Sequence, residues 1–413
     1  MYVAGPMRRR PPVRLASLQL QIWRALLVVL FIVAWPGRAH AYAWMIRHGY
    51  SQCVQCHVDP SGNGPLTEYG RAMSEILLRT RYKWERHDDE EAKLGKSLFG
   101  AIPLPEALDL GGEGRVAYLY TKLENTAAQR QLIWMQLDGN AAIQAGPFVA
   151  VGTLGYAPTG ALGATLTHGP DSNLVSREHW LGFWLDESRD VLVRAGRMDL
   201  PFGIRSIEHN LWTRAYTHTD INDAQQYGVS AALTSDHFRA EVMGIAGNFQ
   251  LRPDVFRERG YSAYAEYLPV SRVALGASST IVHVKLDEQL LREEWRHAHG
   301  LFGRWGTPWE PLVLLTEWDY VFESPKYLTR RTGIVGYLQA DIEATQGVHF
   351  IATGEATNVS TGPSPPSWGG WLSYAWFFAP HADIRLDNIF QSFASSSGRT
   401  NALSFLIQAH VFL

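Results

Sequence analysis

The only two cysteines in 413 residues fall within five positions, Cys53-Val54-Gln55-Cys56-His57. Two thiols separated by two residues, with a histidine directly after the second, is the spacing of covalent haem attachment. The thiols form thioethers with the porphyrin vinyls and the histidine ligates the iron, giving one haem c held by Cys53, Cys56 and His57. A zinc site would call for four ligands, and there is no second cysteine pair to supply them. A redox dithiol would sit at a helix start in a thioredoxin-like βαβ frame, which the surrounding sequence lacks. A low-spin iron needs a second axial ligand. His48, Met45, Met73 and His87 are the nearby candidates, with His48 and Met73 foremost, and a histidine facing inward from elsewhere in the chain is a further one.

The elements around this motif are few. Tyr42 to Tyr50 lead into it, and Val58-Asp-Pro-Ser-Gly-Asn-Gly-Pro65 follows as a Pro/Gly turn segment. Thr67 opens a helical stretch with Glu68 in its first turn, and Met73, Ile76, Leu77 and Tyr82 recur at helix-like intervals to about Trp84. Lys83 to Lys96 is strongly charged and reads as a linker. The segment 42–95 is thus about 50 residues long, too short to bury a self-sufficient core. Covalent haem and a wall from the rest of the chain would complete it.

Upstream, residues 1–41 have the form of a secretory signal. Arg8 to Arg10 and Arg14 give a basic start, Ala25 to Trp35 an apolar run of 11 residues, and Ala39-His40-Ala41 a small-x-small cleavage site. Eleven residues fall short of the roughly 20 that a membrane helix requires. Export agrees with haem attachment outside the cytoplasm, and with both cysteines committed no structural disulfide is expected. Removing the leader's six arginines from the formal net charge of −3 leaves about −9, which argues against a nucleic-acid partner.

Downstream, residues 96–413 change character. The chain is 19% charged and holds 37 Gly, 17 Tyr, 17 Phe and 15 Trp, a balance unusual for a soluble α/β enzyme. Segments of roughly ten residues with partial alternation repeat to the end, which predicts an all-β transmembrane barrel of about 16 antiparallel strands. They are expected at 112–123, 130–141, 146–157, 177–186, 189–198, 226–234, 236–248, 258–268, 271–284, 297–307, 311–323, 330–343, 345–358, 368–379, 381–394 and 400–413. Joins after even strands are tight and joins after odd strands long, the asymmetry of a bacterial outer-membrane barrel with periplasmic turns and external loops. A soluble sandwich or propeller would lack it. An even strand number puts both barrel ends on the turn side, with the haem segment. The last strand alternates: Leu403, Phe405, Ile407, Ala409, Val411 and Leu413 on one face, Ser404, Gln408 and His410 on the other, with Leu406 and Phe412 breaking the polarity. Trp134, Trp184, Trp305, Trp309, Trp371 and Trp376 are expected in aromatic girdles at the two interfaces. The longest loop, 199–225, carries Glu208, His209, His218, Asp220 and Asp223. These would attract a hard or borderline cation, or simply supply the polarity of a water-filled lumen.

The run from Cys53 to His57, then Pro60, Gly62-Asn63-Gly64 and Leu66-Thr67-Glu68-Tyr69-Gly70-Arg71, resembles the start of the fused cytochrome–porins. These are outer-membrane proteins of iron-oxidising and other bacteria in which a monohaem segment precedes a 16-strand barrel. The motif-level resemblance spans about 20 residues; the order of leader, haem motif, short helix and barrel is shared throughout. Gly196-Arg197-Met198-Asp199-Leu200-Pro201-Phe202-Gly203 is also similar to a strand-end pattern of phosphate-selective porins. The resemblance implies an electron conduit between an extracellular donor, classically Fe(II), and periplasmic c-type cytochromes, hence an Fe(II):cytochrome c oxidoreductase. A porin for small solutes or anions with a haem-bearing gating or sensing plug is the alternative.

Overall fold

The computed structural model describes residues 43–50, 52–82, 104–158, 165–169, 172–206, 208, 210–395 and 398–413. The leader 1–41, the linker after residue 82, His87 and His209 lie outside them.

Among the described residues, seventeen strands form one antiparallel sheet that closes on itself. They are β1 (Leu108–Leu123), β2 (Gln129–Ala145), β3 (Phe148–Pro158), β4 (Ser172–Val175), β5 (His179–Trp184), β6 (Val191–Met198), β7 (Gln226–Thr234), β8 (Phe238–Gly247) and β9 (Glu258–Val270). β10 (Val273–Val284), β11 (Glu294–Gly306), β12 (Leu312–Pro325), β13 (Arg331–Thr345), β14 (Val348–Thr357), β15 (Ser367–Ala379), β16 (Ala382–Ser395) and β17 (Gly398–Phe412) complete it. β4 and β5 both pair with β3, at its end and its beginning, so together they make one broken stave. The barrel therefore has 16 staves, closed by β1 against β17 from Glu113↔Phe412 to Leu123↔Ala402. The expected single strand at 177–186 is the one that differs in kind. It is interrupted at 176–178, where the Ser176 and Arg177 main chain leaves the ladder and the Ser176 hydroxyl donates to the Glu178 carbonyl.

The strands are inside out relative to a water-soluble protein. On β12 the inward positions are Val313, Leu315, Glu317, Asp319, Val321 and Glu323, all buried. The outward set includes Trp318 and Tyr320, both exposed. Leu181, Leu301 and Leu372 are each more than 60% exposed, whereas Arg194, Glu317 and Asp319 are fully covered. An apolar exterior around a charged interior is the pattern of a barrel whose outer solvent is hydrocarbon. The last strand follows it, with Leu403, Ile407 and Val411 exposed and Ala402, Leu406 and His410 buried. Leu406 and Phe412, which broke the alternation, turn inward, and Phe412 packs on the apolar cluster inside.

The girdle expectation divides. Trp134, Trp305 and Trp309 are exposed. Trp376 is half-buried and its indole donates to Thr80. Trp184 and Trp371 are corrections: both lie buried, at 8% and 4% exposure. The register decides this, because Trp184 shares the inward face with Trp180, and Trp371 with Ser373, Ala375 and Phe377. Trp371 donates its indole N–H to Glu355 at 3.0 Å.

Residues 43–82 occupy the mouth on the short-turn side. A 3₁₀ turn covers Ala43–His48 and another Cys53–Gln55. Helix α1 (Glu68–Met73) continues as one π turn over Ser74–Leu78. The helix is shorter than the sequence suggested; it ends at Leu78, beyond which Thr80 donates its N–H to the Phe377 carbonyl. Tertiary bonding to the wall thus replaces the last helical turn. This plug rests on the short turns: Gln52 Nε2 donates to the Ser235 carbonyl at 2.7 Å, Gln346 Nε2 to the Ile76 and Arg79 carbonyls at 2.9 Å, and Tyr82 Oη to Phe378 at 2.9 Å. Trp44, Ile46 and Leu78 are buried in one cluster with wall residues Phe302, Val313, Leu315 and Phe377. Each such side chain contributes about 1.5–3 kcal/mol of apolar burial, which a free 40-residue segment could not obtain.

Candidate functional site: a motif-bearing plug beneath a folded-in loop

Cys53, Cys56 and His57 are brought together within a tightly folded loop. The His57 and Cys56 N–H groups both donate to the Cys53 carbonyl, at 2.8 and 3.0 Å. Val58 N–H donates to the Pro65 carbonyl, and His57 bridges Leu66, so the Pro/Gly segment folds back as a closed loop. Gly62 adopts φ +93°, and a Cβ there would press within 3.2 Å of Cys53 Sγ. Thr67 caps α1, accepting from Gly70 N–H at 3.0 Å while its own N–H donates to the Cys56 carbonyl at 2.9 Å. The helix lies so close at Gly70 that any Cβ would collide with that carbonyl. Arg71 then fixes the loop to its own Leu66 carbonyl and to Asp109, at 2.5 and 2.8 Å. The residues from Cys53 to Arg71 thus fold as one unit, with glycine where a side chain would not fit.

The three motif residues line a common cavity of about 320 Å³ inside the barrel. Both thiols are unpaired. Burial pushes the Cys56 thiol up to about 11, the neighbouring Cys53 adding to it. That is opposite to the lowered value of a redox-active dithiol. Burial also pulls the His57 imidazole below its ordinary value, favouring the neutral ring that ligates metals. Its Nδ1 is shielded from solvent without a hydrogen-bond partner. A hollow bordered by two thiols and a neutral imidazole, with glycines held against the sulfur and backbone, fits a porphyrin attached at Cys53 and Cys56 and ligated by His57.

The plug is anchored to the wall through buried charge. Arg194 on β6 bonds Asp59 of the plug and Glu241 of β8, and all three side chains are fully buried. Asn63 donates to Asp199, and Arg205 to the Pro60 carbonyl at 3.3 Å. On the opposite wall Arg47 pairs with Glu343 at 3.3 Å, and the Trp44 and His349 rings meet tilted at 33° with centroids 4.0 Å apart. Beside Cys53, Arg239 and Arg304 converge on Glu266.

From the other side the 199–225 loop folds into the lumen. Within it, helix α2 (Trp212–Thr217) is held by wall acids: Trp212 N–H donates to Glu355 at 3.0 Å, and Arg214 pairs with Glu317 at 3.1 Å. Ile204 N–H donates to Glu317 at 2.8 Å, and Arg205 pairs with Glu241 at 2.9 Å. Gly203, Ile204, Arg205, Ser206, Glu208 and Asn222 face the same cavity as the motif. The hollow therefore lies between plug and loop.

The other sequence candidates are dispersed. Glu208 lines the cavity but is held by Arg385 at 2.7 Å. His218 stands apart, 3.7 Å from Glu323, and Asp220 accepts from the Asn222 N–H. Among the described residues no three His, Cys, Asp or Glu side chains gather as a metal-holding group. Glu208 and His218 instead meet inward wall residues, Arg385 and Glu323. His48 and Met73 do not border the cavity; His48 Nε2 accepts from Arg47 at 3.1 Å, and Met73 Sδ from Tyr50 at 3.5 Å. Met45 does border it. Of the wall residues, Glu113, Glu178, Arg239, Glu266, Arg304 and His410 also line it, and sequence reading singled out only His410 as a polar position. Strand alternation would have placed them inward, but their pairing across tens of residues has no local signal.

No family model matches the chain, and no curated protein does. Many solved structures share its fold. They include a loop-deletion variant of OmpT, an outer-membrane protein of Vibrio cholerae, at TM-score 0.58 and 12% identity, covering 74% of this chain and all of that one. The anion-selective porin from Comamonas acidovorans aligns at TM-score 0.57 and 11% identity over 74% of this chain and 99% of its own. The channel DcaP of Acinetobacter baumannii aligns at 0.54 and 10% over 74% and 97%. At these identities the likeness is one of fold: a 16-stave barrel of outer-membrane porin type.

Proposed function

We propose that the protein is a bacterial outer-membrane electron conduit with one haem c attached at Cys53 and Cys56 and ligated by His57. The observation that carries this reading is the attachment motif folded inside the lumen of a porin-type barrel. The haem, when bound, supplies a one-electron Fe(III)/Fe(II) couple. The chain's own part is placement and exclusion. An outer membrane is an insulator with an apolar band about 25 Å tall, and soluble carriers do not cross it. The wall supplies a lumen through that band. Asp59, Arg47 and Gln52 fix the plug on the short-turn side, the periplasmic side in this class, within reach of a c-type cytochrome or similar carrier. Gly203 to Glu208 of the folded-in loop border the opposite side of the cavity, toward an extracellular donor such as Fe(II).

The second reading, a porin for small solutes or anions whose plug gates or senses, is favoured by the porins and channels that share the fold. The two separate on one experiment. Fe(II) or a bulky charged reductant is added outside intact cells, and the reduced-minus-oxidised haem spectrum is recorded. Reduction from outside is expected. A haem that responds only to donors given on the periplasmic face sinks the conduit and leaves the porin. The Cys53→Ala/Cys56→Ala variant is expected to lose the haem signal and still migrate as a heat-modifiable barrel.

A further inference from the structure

Four positions near the motif (His48, Met45, Met73 and His87), and the inward wall, offer donors for a second ligand of the iron. The geometry points to Met45: we propose that its thioether is the second protein ligand of the iron, an inference that rests on haem attachment at Cys53, Cys56 and His57. The reason is positional. Gly49 N–H donates to the Ile46 carbonyl at 3.2 Å and Tyr50 N–H to the Met45 carbonyl at 3.0 Å. These bonds close the chain from 45 to 50 into a turn ahead of Cys53. Met45 then borders the same cavity as Cys53, Cys56 and His57, as does Tyr50.

The rivals are placed differently. His48, on the same turn, does not line the cavity, and its Nε2 accepts from Arg47. Met73 sits at the far end of α1, outside the cavity, with its sulfur accepting from Tyr50. His410 lines the cavity, but Asp383 holds its Nδ1 at 2.9 Å and Glu113 its Nε2 at 3.1 Å, so neither ring nitrogen is available without breaking an ion pair. Among the described residues that line the cavity, Met45 is the one thioether, packed against the apolar cluster of Trp44, Ile46 and Phe302. A soft, neutral, flexible donor suits that surrounding, since it brings no charge or unsatisfied N–H into an apolar setting. Met/His ligation gives a low-spin iron of raised potential.

The test is spectroscopic, on the full-length protein in detergent. Covalent haem is first counted in alkaline pyridine. The ferric protein is then examined for the long-wavelength methionine–iron charge-transfer band, in absorption and near-infrared magnetic circular dichroism. The band is expected in the wild type, retained in Met73→Ala and His48→Ala, and lost in Met45→Ala with haem content unchanged. Met45→His is expected to replace it with a bis-histidine signature and a lower midpoint potential. Met45→Leu, which keeps the apolar volume, guards against a folding defect and is expected to lose the band as well. A band that survives both Met45→Ala and Met45→Leu, or a bis-histidine wild type, overturns the assignment and leaves the attachment reading intact. Absence of covalent haem in the wild type overturns both.

Discussion

The plug and the wall use opposite economies of side chains. Along the wall residues alternate between an outward face that is largely apolar and an inward face that mixes charged with apolar side chains, and the ladder bonds are repetitive. The plug has no repeating pattern. Its 40 residues hold together through the Cys56 carbonyl, the Thr67 cap and the close approach at Gly70, and through charged anchors to the wall. The wall is closed without the plug, by β1 on β17. The plug takes much of its burial from the wall. One region is autonomous and generic, the other dependent and specific.

Deleting residues 43–82 tests this dependence most severely. The barrel is expected to insert and remain heat-modifiable, while planar-bilayer conductance rises from near closure to stable channel openings. A deletion that abolishes insertion would show that the wall depends on the plug as well. Next in size is Arg194→Ala, which strands Asp59 as a buried carboxylate while Glu241 keeps only Arg205. It should cost about 3–5 kcal/mol in denaturant unfolding. Asp59→Asn should cost less, because Arg194 keeps Glu241. A larger loss from Asp59→Asn would place the anchor's value in the plug rather than the wall. The lipid side of the comparison is probed by Leu301→Arg at mid-strand on β11, expected to cost about 2–4 kcal/mol of barrel stability. No loss there would mean that the outward face does not meet hydrocarbon. Smallest for the wall is Gly70→Ala. Its methyl must push α1 off the Cys56 carbonyl, at about 1–3 kcal/mol, so covalent haem content should fall while insertion is unaffected.

The same contrast explains what could be read from the sequence. All 16 staves lie close to their expected spans, because alternation, turn residues and loop asymmetry are local signals repeated along the chain. Only the break at Ser176 to Glu178 and the inward turn of Trp184 and Trp371 escaped, the second because an indole suits an interface and a lumen equally. At the site the motif itself was legible through its spacing. The arginine–carboxylate anchors were not, since Asp59 and Arg194 lie 135 residues apart and nothing local marks either as a partner. Met45 was named from the sequence as one of four nearby donors, but its place at the cavity, like the π turn after α1, is set by which neighbours the wall presents.

The enclosure of the plug also fixes an order of assembly. Sixteen staves surround Cys53 and Cys56, the 199–225 loop covers them from one side, and the short turns grip the plug at the other. A rigid group as broad as a porphyrin has no lateral entry through a continuous hydrogen-bonded wall. On the proposed haem attachment, a group joined to those thiols before β1 meets β17 would not have to pass that wall, and the motif precedes every described strand in the chain. Attachment first and closure of the barrel second would then be sequential events on one polypeptide, and a plug enclosed without its group would have to be reached through the ends of the lumen.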